Sequence, residues 1–174
     1  MDMRVVGVDI GSAQAKRSAF ARAAREGDQE AGCGPPPDGA VHAVLETLSA
    51  GTPTVLALEA PACIPVPGPG QWHQLGKARD AEGNRAWSAG AGSGVLATGL
   101  AQGAWMLAKI HRVLPDVTAT TQPARWPEPA ALLLAEALVS GAGKPAAGAD
   151  HQHLADAWAA ARACSTCLRT GTSR

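Results

Sequence analysis

The segment that most constrains the fold is "MRVVGVDIGS", residues 3–12, in which an apolar run ends on an acid. Its valines around a glycine are typical of a buried strand, which we predict over residues 4–10. The strand ends at Asp9, and Gly11 then allows the chain to turn tightly. A carboxylate is costly to bury unless something compensates its charge. The sequence therefore predicts that Asp9 meets a charged or polar partner.

A second segment, "TPTVLALEAP" at residues 52–61, repeats this arrangement. A short apolar run ends on Glu59, and Pro61 stops the strand. The carboxyl ends of parallel strands meet at one edge of a sheet. If the two runs are parallel neighbours, Asp9 and Glu59 lie close together.

Further elements follow from turn residues and apolar spacing. Residues 17–23 are predicted as a strand paired with the first, although their alanines would also suit a helix. Residues 27–39 are rich in glycine and proline, which predicts a connection with at most a short edge strand. Asp38 is predicted to cap a helix over 39–50. Gly51 is predicted to end that helix.

The second half of the chain is also predicted to contain both helices and a strand. Apolar spacing predicts a helix over 93–113, which Pro115 ends. The stretch "PEPAALLLAEALVSG" at 127–141 suits a helix or a buried strand, and we predict a strand with Glu136 near its end. Residues 150–164 are predicted as a helix that begins at Asp150, a good N-cap.

Length limits this chain to one domain, because 174 residues bury one sizeable core but not two. We expect that domain over residues 1–168, with a long functional loop at 60–91 and a flexible tail at 169–174. Lys plus Arg and Asp plus Glu both number 15. This balance excludes a uniformly basic nucleic-acid-binding domain, so any nucleic acid must meet local basic patches.

Two basic patches are present, and the one in the 60–91 loop also carries tryptophans. Such a mixture suits phosphate contact and base stacking, although ordinary solvated loop charges would look the same. Ser12, in the turn after Asp9, is a further candidate for substrate contact. The loop candidates are Lys77, Arg79, Arg85 and Trp87, beside Trp72; the other patch is Lys16, Arg17, Arg22 and Arg25.

The N-terminal stretch reaches Asp9 without an apolar segment long enough for secretion or for spanning a membrane. We therefore expect a cytoplasmic protein with no membrane partner. In that compartment the 4 cysteines are expected to be reduced thiols. Cys164 and Cys167 form a single C-x-x-C pair, whereas a structural zinc site usually takes two such pairs. Inert thiols are thus favoured over a zinc or redox role.

The acidic residues, together with one histidine, form the pattern that indicates most about the chemistry of the protein. Asp9 and Glu59 end strands, and His153 and Asp156 share a helix face because they are three residues apart. Carboxylates held together repel one another, and a divalent cation between them relieves that repulsion. The pattern predicts a Mg²⁺ or Mn²⁺ site. Glu136 and Asp150 are weaker candidates for further ligands, since one depends on an ambiguous strand and the other is explained by capping.

Three segments together resemble the RNase H-like superfamily, and within it the RuvC-type Holliday-junction resolvases and related predicted nucleases. They are "VVGVDIGS", "VLALEAP" and "HLADAWAAA". In that family the first strand supplies an Asp, the fourth a Glu, and the last helix a D-x-x-D or H-x-x-D pair. The matching residues are Asp9, Glu59, His153 and Asp156, which the resemblance implies are catalytic.

The resemblance implies an α/β fold with a mixed central sheet of about five strands, flanked by helices, and a long insertion after the fourth strand. It also implies a nuclease that binds two Mg²⁺ or Mn²⁺ ions and hydrolyses phosphodiesters of DNA or RNA. The chain departs from the resolvases in its 60–91 loop and in lacking a further helix before the last one. Resolvases act as dimers, so a homodimer stays open, although the sequence identifies no apolar dimer helix.

Two other classes of function stay open. The same first segment resembles the strand and turn of actin-like and sugar-kinase ATPases, which face nucleotide phosphates. Those proteins need a second such domain and a second phosphate loop, neither of which this sequence contains. A non-catalytic binding or scaffold domain with the RNase H-like fold is the other alternative, and the neutral net charge favours it slightly.

Overall fold

A computed structural model describes residues 3–10, 19–23, 29–30, 37–61, 68–71, 73, 91–128, 131–137 and 152–170, of which 19–23, 29–30, 91–93, 163, 165, 167 and 169–170 are described by backbone alone. These residues form a six-stranded sheet and three α-helices. The α/β class predicted from the sequence is confirmed. The strands are β1 (Arg4–Asp9), β2 (Ala19–Ala23), β3 (Gln29–Glu30), β4 (Thr54–Leu58), β5 (Ala119–Thr120) and β6 (Leu132–Glu136), and the helices are α1 (Asp38–Ser49), α2 (Ala91–Val113) and α3 (Gln152–Thr170).

The strand order across the sheet is β3-β2-β1-β4-β6-β5. β1 pairs in parallel with β4, β4 with β6, and β6 with β5, whereas β2 pairs antiparallel with both β1 and β3. The sheet has six strands where the sequence predicted about five. The extra strand, β5, has only two residues, too few to show any apolar period.

Alternation of side chains divides the core into two layers. Val6 and Val8 of β1, with Leu56 and Leu58 of β4, pack in a cluster with residues of α1 and α2. The intervening residues point to the other face. There Val5, Val55, Ala57 and Leu133 pack with Ala160, Ala161 and Cys164 of α3.

α3 packs very closely against β1. A Cβ added to Gly7 would lie 2.3 Å from the carbonyl oxygen of Ala157 and 2.8 Å from the Cβ of Ala161. Cys164, three residues further along α3, joins the cluster that contains Val5. α3 therefore runs antiparallel to β1, and its first turn lies at the end of β1 that carries Asp9.

The structure confirms most predicted elements and shifts several boundaries. Gly51 ends α1 with a φ of 73°, and the ambiguous 127–141 stretch contains a strand. The prediction that Asp38 caps α1 is wrong. Pro37 occupies the cap position without a side-chain hydrogen bond, and Asp38 is the first helical residue. Its charge still suits the N-terminal turn of a helix.

Two further predictions concern the C-terminal tail at 169–174 and the loop at 60–91. α3 continues to Thr170, so the helix includes two residues of the segment predicted as a flexible tail. Most of the 60–91 loop lies outside the described residues. Among the helices of the described ranges, none has the length and apolar character needed to cross a membrane.

Candidate functional site

Asp9 and Glu59 lie side by side at the end of neighbouring parallel strands. Val8 is paired with Leu58, and the backbone N–H of Glu59 donates to the carbonyl of Val8 at 2.8 Å. Both acids continue the alternation of Val5 and Val55, so both belong to the α3 face of the sheet. Asp9 is 8% exposed and Glu59 is 9% exposed. Two buried carboxyl groups thus lie at the same end of neighbouring parallel strands.

α3 brings His153 to Asp9. Nδ1 of His153 contacts Oδ2 of Asp9 across 144 positions of sequence. The side chain of His153 is 41% exposed and that of Asp9 is 11% exposed. Since Nδ1 faces the acid, Nε2 is the ring nitrogen that is left for another partner.

Asp156 is the third buried acid, with 5% exposure. It follows His153 by one helical turn, so the two side chains lie on neighbouring parts of one face. The side-chain amide of Gln152 donates a hydrogen bond to Oδ1 of Asp156 at 2.7 Å. Gln152 was not a candidate from the sequence. The signal that could have found it is its spacing, because residues i and i+4 are neighbours on a helix.

Carboxylates buried near one another at one end of a sheet repel one another and lose hydration, which costs free energy. Oxygen donors of this kind are the ligands that Mg²⁺, Ca²⁺ and Mn²⁺ prefer. Within the part of the chain that the structure describes, however, no three His, Cys, Asp or Glu side chains form a group that could hold a metal ion as they stand. The donor types suit a divalent cation, while the α3 side chains Gln152 and His153 contact the carboxyl groups of Asp156 and Asp9.

Glu136 does not join these acids. It is paired with Leu58 and continues the alternation of Leu132 and Leu134, which belong to the α1 and α2 layer. Its position is therefore on the opposite face of the sheet from Asp9 and Glu59. Ala137, directly after this strand, is the next residue on the α3 face, and its N–H donates to the carbonyl of Leu58 at 2.8 Å.

The remaining sequence candidates are the Cys164 and Cys167 pair and several residues outside the described ranges. Cys164 is buried where α3 packs on the sheet, an environment typical of a structural thiol; the side chain of Cys167 is not described. The candidates without a described position are Ser12, Lys77, Arg79, Arg85, Trp87 and Asp150.

Comparisons of the chain with family models, with curated proteins and with solved structures find no match. The sequence pattern and the geometry of the buried acids therefore carry the functional conclusion.

Proposed function

We propose that this chain is a divalent-metal-dependent nuclease of the RNase H-like type, which hydrolyses phosphodiester bonds in DNA or RNA. The observation that carries the proposal is the burial of Asp9, Glu59 and Asp156 at one end of the sheet. Burying several carboxyl groups close together costs free energy, and stability alone would favour apolar residues there. Their presence together favours a role in binding cations.

The order of elements supports the same proposal. The first strand and the strand after α1 are parallel neighbours, and the last helix packs over the first strand. That arrangement puts Asp9, Glu59 and the first turn of α3, which carries His153 and Asp156, at the same end of the sheet, and this supports the RNase H-like resemblance. We also propose that this sheet corresponds to the mixed sheet of that family, although it has six strands rather than about five.

Each residue has a distinct proposed role. Asp9, Glu59 and Asp156 would hold Mg²⁺ or Mn²⁺, which supplies a Lewis acid and an activated water for attack on phosphorus. His153, whose Nδ1 contacts Asp9, would use Nε2 to orient water or a phosphate oxygen. Lys77, Arg79, Arg85, Trp87 and Ser12 remain proposed contacts to the nucleic acid.

A cleavage assay tests the proposal. We expect the protein to cut labelled DNA or RNA with Mg²⁺ or Mn²⁺, and Asp9→Asn to lower the rate by about 100-fold or more, because it removes a charge that holds the cation. Asp116, an exposed acid in the turn after α2, provides the matched control, since Asp116→Asn makes the same chemical change away from the site. Equal rates for wild type and Asp9→Asn would disprove the assignment.

A non-catalytic binding domain is the second candidate, favoured by the contact of His153 with Asp9. In such a domain the histidine would satisfy the buried acid through this contact, without any cation. Calorimetry with Mn²⁺ separates the two. Binding that Asp9→Asn removes supports the nuclease, and an absence of binding supports the scaffold.

A further inference from the structure

The second half of α2 carries an exposed tryptophan beside two cations. Trp105 is 38% exposed, and Nζ of Lys109 lies 5.0 Å from the centre of its ring. Arg112 is also exposed and follows Lys109 by three residues. The three side chains therefore lie on one side of the helix. We call Trp105, Lys109 and Arg112 together the α2 basic surface.

The helix that carries this surface has no acid of its own. The sequence of α2 contains no Asp or Glu, and in the part of the chain that the structure describes neither Lys109 nor Arg112 forms an ion pair. Their charges are therefore available to an anion from outside the chain. A single ammonium group can cover only one of the two faces of the Trp105 ring.

Single-stranded nucleic acid is the partner whose chemistry fits these groups. Its phosphates attract Lys and Arg, and its unstacked bases pack on exposed aromatic rings that have cations beside them. We propose that the α2 basic surface binds single-stranded DNA or RNA, with a base stacked on Trp105 and with phosphates on Lys109 and Arg112. This inference rests on the proposed function for its class of partner. None of the three residues was a candidate for substrate contact from the sequence.

α2 places this surface away from the buried acids. A Cβ added to Gly99 would lie 2.6 Å from the Cβ of Ala60, and one added to Gly103 would lie 3.2 Å from Cδ1 of Leu58. α2 therefore runs antiparallel to β4, and the residues after Gly103 lie towards the start of that strand. Arg112 lies about 20 Å along the helix axis from Gly99, at a rise of about 1.5 Å per residue. Binding at this surface can thus be measured apart from cleavage.

Fluorescence anisotropy tests the proposal with labelled oligothymidylate and oligouridylate of about 20 nucleotides, in a chelator that prevents metal-dependent cleavage. Trp105→Leu removes the ring and is expected to bind about tenfold more weakly than the wild type, whereas Trp105→Phe is expected to stay within about threefold. Leu100→Ala is the matched control. Leu100 is 47% exposed and, five positions before Trp105, lies on a different side of the helix. We expect this control to keep the wild-type dissociation constant.

Salt dependence tests the two cations. For single strands, the logarithm of the binding constant falls with the logarithm of the salt concentration by about 0.7 for each phosphate contact. Lys109→Gln and Arg112→Gln are therefore each expected to reduce the slope by about 0.7. Arg162→Gln is the matched control, because Arg162 is exposed on α3, which packs on the opposite face of the sheet from α2. Its slope is expected to equal that of the wild type.

The outcomes separate this surface from the proposed nuclease. If the protein cleaves with Mg²⁺ or Mn²⁺ while Trp105→Leu, Lys109→Gln and Arg112→Gln bind like the wild type, the surface is wrong and the nuclease stands. If these variants bind more weakly but the wild type does not cleave, the surface stands and the nuclease is wrong.

Three further results decide the class of partner. Binding of either oligomer that depends on Trp105 supports the proposal and identifies DNA, RNA or both as the partner. Failure of the wild type to bind either oligomer overturns it. A change of oligomeric state in Trp105→Leu with unchanged binding also overturns it, since the surface would then be a contact between copies of the chain.

Discussion

The backbone of Ala157 in α3 lies directly against Gly7 in β1. A Cβ at position 7 would lie 2.3 Å from the carbonyl oxygen of Ala157, a distance that real Cβ contacts do not reach. One turn earlier in the same helix, His153 contacts Asp9. Close packing at Gly7 thus sets the distance between α3 and Asp9 at the end of β1.

Gly7→Ala is therefore expected to destabilise the protein and to move α3 away from β1. Overpacking of this kind costs about 1–3 kcal/mol or more, and urea denaturation would measure the loss in free energy of unfolding. Gly94→Ala is the matched control. Gly94 lies in α2 with nothing within 4 Å of an added Cβ, so alanine is expected to stabilise it by up to about 1 kcal/mol. Equal stability of both variants would contradict the close packing at Gly7.

Much of the candidate site could be predicted from local sequence alone. An apolar run that ends on an acid identifies Asp9 and Glu59 without any structure. Helical spacing likewise places His153 and Asp156 on one face. These signals are local, because strand alternation and helical periodicity repeat within a few residues.

The rest depends on register between strands that are distant in sequence. Glu136 looked equivalent to Glu59, yet β6 pairs Glu136 with Leu58. A shift of one residue moves a side chain to the other face of a sheet, and nothing within 127–141 fixes that shift. The contact from Gln152 to Asp156 is a different case. Its spacing was visible, but many polar residues on exposed helix faces share it.

The start of β4 is held by a buried hydroxyl pair, which allows a second prediction. Thr54 is fully buried, and its hydroxyl lies 2.8 Å from that of Thr47 and 2.9 Å from the carbonyl of Thr52. Thr54→Val keeps the shape but removes these bonds, so the free energy of unfolding is expected to fall by about 1 kcal/mol. Thermal or urea unfolding measures it, with Thr118→Val at an exposed position as the control. A loss no larger than that of the control would mean that the hydroxyl pair does not stabilise β4.

Burial of three like charges predicts that the site lowers stability when no cation is bound. Glu59 lies beside Asp9 with 9% exposure, so Glu59→Gln removes one repelling charge and keeps the shape of the side chain. In the presence of a chelator we expect Glu59→Gln to raise the free energy of unfolding by roughly 1 kcal/mol. Glu128→Gln, at an exposed position, is expected to leave stability unchanged.

Addition of Mn²⁺ is expected to reverse that order. A ligand that binds only the folded state stabilises it by about 2.7 kcal/mol at 100 times its dissociation constant, and the wild type keeps the carboxylate that holds the ion. The melting temperature of the wild type should therefore rise with Mn²⁺, while that of Glu59→Gln should rise much less. Scanning fluorimetry across a Mn²⁺ series measures both. If Glu59→Gln is less stable than wild type in chelator, the contacts of the Glu59 carboxylate outweigh its repulsion from Asp9, and its burial then has a structural cause.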